Sequence, residues 1–454
     1  MADGKFTKDL TTGSVWRGLI LFAIPLFISN LIQSVYSVAD MMILGHFCGT
    51  EGISAVNTSS QVIVIITNLA MGIATGGTVM IGQFLGAGQM EKIKKSISTL
   101  LISLLVLAIV ITTILLILTK PMLDLLNTPS DSYEGANDYL VINLVGLIFV
   151  FGYNALSAIM RGLGDSKTPL LFVIIASITN IVLDFILIGV YEKGAAGAAY
   201  ATIFSQALSM LLCIIYLKSH NFMFDFKLKS FIFDSKCFKN LMEIGLPNGI
   251  QMVATNFSFL ILTGIINDIG GDAANAASGI VNKFNGFAIL PCVAVMSSIS
   301  AMISQNMGAR KEHRTKQATN CGLLLICIIC AVIYTIANIF PEEIFHIFDA
   351  EPDVITVGII YIHAFAFEYV FLPLNCAYNA VFTGTGNGWI TLVINIVASF
   401  IVRIPLAYLL TFGFDLGIKG IGYSIPAATC VGSVMALIFY LSGVWKKNKV
   451  ELNA

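Results

Sequence analysis

The sequence predicts an all-α integral membrane protein: twelve transmembrane helices in two six-helix lobes related by a parallel, pseudo-twofold repeat. Three observations carry that prediction. The 454 residues are 57% hydrophobic and only 11% charged, with a mean hydropathy of +0.87, whereas a soluble domain carries about 25% charged residues. Apolar runs of the roughly 20 residues that a bilayer requires recur along the chain. Four short motifs of the first half return in the second at a nearly constant offset.

The first run, 16–44, follows an arm (1–15) that lacks a short apolar core with a cleavage site, so the arm is expected to be cytoplasmic and not a signal peptide. Span two, 53–86, closes on "GQFLGAG" (82–88), and Lys92, Lys94 and Lys95 part it from span three, 96–119. Lys120 ends span three; span four, 135–160, runs into "RGLGDSKTP" (161–169). Spans five, 168–190, and six, 196–217, are parted by Lys193 and the start of "GAAGAAY" (194–200). A charged inter-lobe linker, 218–239, leads to span seven, 240–267, and span eight, 275–307. Arg310, Lys311, Arg314 and Lys316 mark the turn into span nine, 317–340. The acidic stretch "PEEIFHIFDAEPD" (341–353) precedes span ten, 354–382; the glycines of "TGTGNGW" (383–389) precede span eleven, 389–412. Lys419 opens span twelve, 419–445, and a tail follows, 446–454. The N-lobe is therefore read as 16–217 and the C-lobe as 240–445.

Charge placement orients these spans. Twenty of the 25 Lys and Arg residues fall in the arm, the even-numbered loops, the linker and the tail, and three on the opposite side. Positive loops stay in the cytoplasm, so both termini are expected inside a plasma (bacterial inner) membrane. The net charge of −1 points to no nucleic-acid partner. Nine cysteines show neither metal-ligand spacing nor a disulfide framework.

The repeat sets the architecture. "GQFLGAG" faces "SQNMGAR" (304–310), "NALSAIMRGLGDSKTPL" (154–170) faces "CAYNAVFTGTGNGWITL" (376–392), and Pro25 faces Pro247, all 222 residues apart. "GAAGAAY" faces "GIKGIGY" (417–423) at 223. A unit of six spans is even, so both lobes enter the membrane in the same direction, as in parallel-repeat secondary transporters. Two such lobes would leave a cleft able to open to either side.

There is no GxxxxGK[ST] phosphate loop, and the linker is too short to be an ATPase domain. Transport would then run on an ion gradient or passively, which turns attention to buried ionisable groups. Of 26 acidic residues, only Asp40, Asp184 and Glu368 lie well inside spans. Asp40 and Asp184 each stand five residues before a glycine at the outer end of an outward-running span, about 7–8 Å deep. Tyr139 and Thr202, on inward-running spans, fall at similar depth, Asn180 shares the Asp184 face at i, i+4, and Tyr36 lies one turn below Asp40. Asp40, Asn180, Asp184 and Thr202 could hold a hard cation such as Na⁺; equally, two close carboxylates resist double ionisation and would share a proton. A hydrogen-bonded network that merely holds the lobe together is the alternative. The second lobe lacks these acids: at the 222 offset Asp40 meets Leu262 and Asp184 meets Leu406. It carries instead Glu368 and Arg403, opposite charges midway along spans ten and eleven, expected to form an ion pair.

The span-one stretch "IPLFISNLIQSVYSVADMMILGHFCG" (24–49), "GQFLGAG" and "RGLGDSKTP", within twelve spans of two parallel repeats, resemble the multidrug and toxic compound extrusion (MATE) family. The acids of the first lobe resemble its DinF-like branch. That resemblance implies efflux of amphiphilic, often cationic compounds in exchange for H⁺ and/or Na⁺. It implies a first-lobe cation network at Asp40, Tyr139, Asn180, Asp184 and Thr202, and a bend of span one at Pro25 on protonation. The NorM-like branch instead places acids in spans seven and ten, and the stretch "IQMVATNFSFLILTGIIN" (250–267) of span seven here has none before Asp268 at its outer end. Tyr36, Gln33 and Gln206 are candidate substrate contacts. No cofactor beyond the coupling ion is expected, nor any enzymatic activity, since the five histidines offer no cluster. All core contacts fit one chain, so a monomer is expected. A flippase for lipid-linked saccharides shares the helix plan, but basic residues for a pyrophosphate headgroup and often extra spans would be expected there.

Overall fold

The computed structural model describes residues 6–446; Lys5 of the arm and the tail from residue 447 lie outside the described residues. Among these residues every regular element is helical, as lipid demands of a chain that cannot form a closed barrel: each backbone N–H and C=O must be satisfied within its own segment. Helices α1 (15–48) and α2 (50–86) form one run broken at Gly49, whose φ of 62° and ψ of −155° need a residue without a side chain. Then come α3 (Met90–Leu125), α4 (Ser130–Gly162), α5 (Lys167–Val190), α6 (Gly194–Ser219), α7 (Ser235–Ile269), α8 (Gly271–Gly308) and α9 (Glu312–Ile339). Helix α10 is a bent pair, Pro352–Ala366 and Glu368–Gly384, meeting at 40°. Helices α11 (Gly388–Gly413) and α12 (Gly417–Leu441) follow. Counting α1 and α2 separately and the bent pair as one gives twelve spans. Several start earlier than the apolar runs, α3 at Met90 and α7 at Ser235, because a helix persists through flanking charged turns beyond the lipid.

The repeat is visible residue by residue in the backbone. Gly49 and Gly271 break their runs with matching dihedrals, φ 62° and 60°, ψ −155° and −162°. Left-handed residues recur in register: Asn127 with Asp349, Gly164 with Gly386, Glu192 with Asp415, and Gly194 with Gly417. A Cβ on Gly162 would meet Thr78 O at 2.8 Å and Ile81 Cβ at 3.0 Å; one on Gly384 would meet Ser300 O at 2.7 Å and Ile303 Cβ at 3.0 Å. These glycines permit close helix packing. The ends of α5 and α11 both widen into π-helix, Phe185–Val190 and Leu409–Gly413. Helix α11 has a further π segment, Val397–Arg403, where α5 is α-helical. A π turn takes in an extra residue, which accounts for the offset growing from 222 to 223. After the π segment, the counterpart of Asp184 is Ala407 instead of Leu406, and Arg403 stands opposite Asn180.

The chain divides into two compact units. One comprises Ile28–Gly249 with the described residues before Leu10; the other comprises Leu10–Phe27 with the described chain from Ile250 onward. Both boundaries depart from the sequence limits of 16–217 and 240–445, for a packing reason. In the second unit, Ser298 Oγ donates to Leu19 O at 3.0 Å, Leu10 N–H donates to Gln305 Oε1 at 2.9 Å, and Arg314 Nη1 donates to Gly13 O at 3.0 Å. In the first unit, Gly245 and Gly249 of α7 lie against Gly72 and Gly76 of α2, backbone to backbone. The change of unit comes two residues after Pro25 in α1 and two after Pro247 in α7.

Candidate functional site

Within the first unit, α5 presents a buried face of Ser177, Asn180 and Asp184, spaced i, i+3, i+7 so that all three point the same way. Asp184 is fully buried, at 0% exposure, and Asn180 nearly so. Asn180 Nδ2 donates to Thr202 Oγ1 of α6 at 3.4 Å. Asp40, half-buried on α1, is the charge that acts most strongly on Asp184, and a hydrogen bond between the two carboxyl groups would tie α1 to α5. As two anions they are both acceptors, so that bond exists only when one carries a proton. Tyr139 of α4 is buried and lies within electrostatic reach of both acids, as does half-buried Tyr36. Asn180 and Asp184 thus share one face of α5, Thr202 is hydrogen-bonded to that face, and Asp40 and Tyr139 lie within electrostatic reach of it.

The hydrogen-bond inventory of the cluster is one-sided. Asp40 Oδ1, both carboxylate oxygens of Asp184 and Asn180 Oδ1 are buried with no donor. Leaving such an acceptor unsatisfied costs about 1–3 kcal/mol, and more if charged. A set of converging oxygens with no donor is what a proton or a hard cation would satisfy; Na⁺ fits the donor chemistry of Asp40, Asp184, Asn180 and Thr202. Ser177 escaped the sequence reading: its Oγ is buried without a partner one turn from Asn180. Its signal was the i, i+3, i+7 spacing within "SITNIVLD".

The remaining candidates are placed as follows. Pro25 is buried inside α1 without interrupting the helix. Gln33 is exposed, and Gln206, one turn along α6 from Thr202, is half-buried. In the second unit, Glu368 and Arg403 are both buried, yet no N···O contact within 4.0 Å joins them among the ion pairs of the described residues. The expected direct pair is not formed, although each charge lies within electrostatic reach of the other. Glu368 Oε1 accepts from Thr429 Oγ1 at 3.5 Å. Arg403 directs its guanidinium at the ring of Phe259, 4.7 Å from the centroid.

Comparison with known proteins bears on the repeat and the fold. The MatE family model matches twice, over residues 25–186 and 247–409, which are the two halves of the repeat. The probable multidrug resistance protein YoeA of Bacillus subtilis (strain 168) is 29% identical over 98% of this chain and 97% of its own. The probable multidrug resistance protein NorM of Thermotoga maritima is 27% identical over 96% and 94%. A solved outward-facing structure of a multidrug resistance MATE family transporter of the MOP superfamily superposes with a TM-score of 0.91 at 22% identity, covering 96% of this chain and 98% of that one. This last likeness speaks for the fold. With both halves of the chain matched by the family model, the chain belongs to the MatE family of multidrug and toxic compound extrusion transporters.

Proposed function

We propose that this transporter is a multidrug efflux antiporter of the DinF-like kind. It would export amphiphilic, often cationic compounds from the cytoplasm across the plasma membrane, in exchange for H⁺ or Na⁺. The observation that carries the reading is the group of four buried acceptor oxygens on Asp40, Asn180 and Asp184 that have no donor. The names of the relatives support the substrate side. A bound cation would neutralise the repulsion between Asp40 and Asp184 and hold α1 to α5; its loss would leave two like charges in a medium of low dielectric. Helix α1 can respond at Pro25, which supplies no N–H to Leu21 O and so weakens the helix there. If the cation favours one conformation and substrate the other, each releases its counterpart, and the coupling is reciprocal. Thr202 and Tyr139 complete the oxygen set; Tyr36 stands beside it and, with Gln33 and Gln206, is a candidate for substrate contact. Both termini would lie in the cytoplasm, and one chain would suffice.

Reconstituted vesicles test this directly. Uptake of a cationic dye is followed under separately imposed H⁺ and Na⁺ gradients for the wild type, Asp40→Asn and Asp184→Asn. Loss of gradient-driven movement in either variant supports the assignment, and the gradient that drives the wild type identifies the ion. Normal transport by both variants would remove the first-lobe acids from the coupling mechanism.

A further inference from the structure

The second unit contains a polar cluster at the repeat position of the cation network, with its polarity inverted. Tyr361 stands 222 residues after Tyr139, and Arg403 stands opposite Asn180 once the π segment Val397–Arg403 has taken up its extra residue. The two acids of the first lobe have apolar counterparts here, Leu262 and Ala407. Arg403 is only 6% exposed, and its Nε and Nη1 groups have no acceptor. Glu368 does not supply one; its Oε1 is engaged by Thr429, and its Oε2 is itself unpartnered. One face of the guanidinium is taken by Phe259.

A buried guanidinium with unmet donors is a strong attractor for an anionic oxygen, because charge-assisted hydrogen bonds form there without competition from solvent. Arginine suits this role better than lysine, since it stays charged and tolerates an aromatic neighbour across its face. The π segment gives the position a structural cause: it inserts one residue into α11 where α5 has none, and such segments concentrate at functional sites. We propose that Arg403, with Phe259 across one face of its guanidinium, binds a carboxylate group carried on an aromatic substrate. Glu368 opposes that anion and so limits its affinity. The proposal names a substrate class for the transport reading and rests on it. Its test is of binding alone, which succeeds or fails independently of ion coupling through Asp40 and Asp184.

The test is equilibrium binding of 1-naphthoate and of neutral 1-naphthamide to the purified full-length protein. The wild type is expected to prefer the carboxylate by about tenfold. Arg403→Gln should erase the preference while leaving naphthamide unaffected, and Glu368→Gln should enlarge it. A purely structural arginine, or a cluster that holds only solvent, gives equal affinity for the two probes in the wild type and overturns the proposal. So does an Arg403→Gln protein that keeps the preference. Should Arg403→Gln fail to fold, Glu368→Gln decides alone, since an unchanged or smaller preference there also overturns it.

Discussion

Asp184 shows how far a single residue can be read and where reading stops. One carboxylate in the apolar stretch 177–190 is conspicuous in the sequence, and helical rise set its depth beside Asp40. Asn180, Thr202 and Tyr139 followed from the same arithmetic, because residue type and depth are both sequence properties. The unpartnered Ser177 Oγ and the gap between Glu368 and Arg403 were not legible. They depend on side-chain direction and on a π turn that pattern matching does not see. An acid with both oxygens unsatisfied should weaken the fold it serves. Asp184→Asn is therefore expected to raise the thermal midpoint of the purified protein in Na⁺-free buffer, by removing a penalty of roughly 1–3 kcal/mol, while abolishing coupled transport. A lowered midpoint would show that Asp184 is a structural member of the cluster.

Among the elements, α2 and α7 cross backbone to backbone within the first unit. A Cβ on Gly72 would lie 2.1 Å from Gly249 N, and one on Gly76 would lie 2.8 Å from Gly245 N. The two glycine pairs, each four apart, let the backbones touch where neither lipid nor water drives association. Because the obstacle is backbone and not a flexible side chain, Gly72→Ala must part the helices, at a cost of about 1–3 kcal/mol or more. Gly264→Ala on the same α7, where a Cβ meets nothing within 4 Å, should be neutral or stabilising by up to about 1 kcal/mol. Thermal midpoints of the two variants, compared in one detergent, check the contrast; equal losses would refute the crossing. The α7 start makes a second test. Asp234 Oδ1 accepts from Lys236 and Cys237 N–H at 3.0 and 2.9 Å, a helix cap. The Cys237 N–H, opposed by burial and aided by Lys95, holds the Asp234 carboxyl below its usual range. Its contribution is therefore present above the unfolded value of about 3.9 and lost as pH falls through the lower folded value. Asp234→Ala should lose about 1 kcal/mol at neutral pH, and this difference from the wild type should begin to shrink below about pH 4 and be gone once pH has fallen through the lower folded value. A difference that persists in acid would assign the loss to something other than the cap.

For the whole molecule, the repeat was legible because motif spacing survives when composition drifts. The exchange of the first turns of α1 and α7 between the two units was not, since hydropathy locates spans without saying which neighbours they choose. Orientation matters most for function. Asp40 and Asp184 lie near one end of their helices, so the side of the membrane which that end faces decides whether the gradient loads the cation from outside and drives export. By the positive-inside rule the arm and linker are expected in the cytoplasm, which would put that end outside. In a chain with its nine cysteines replaced, a single Asp131→Cys at the start of α4 should react with an impermeant maleimide on intact cells. Lys229→Cys in the linker should react only after permeabilisation. Both positions are exposed, so access and not burial sets the outcome. The reverse pattern would turn the cation network toward the cytoplasm, and an inward ion gradient could then no longer load it from the side that efflux requires.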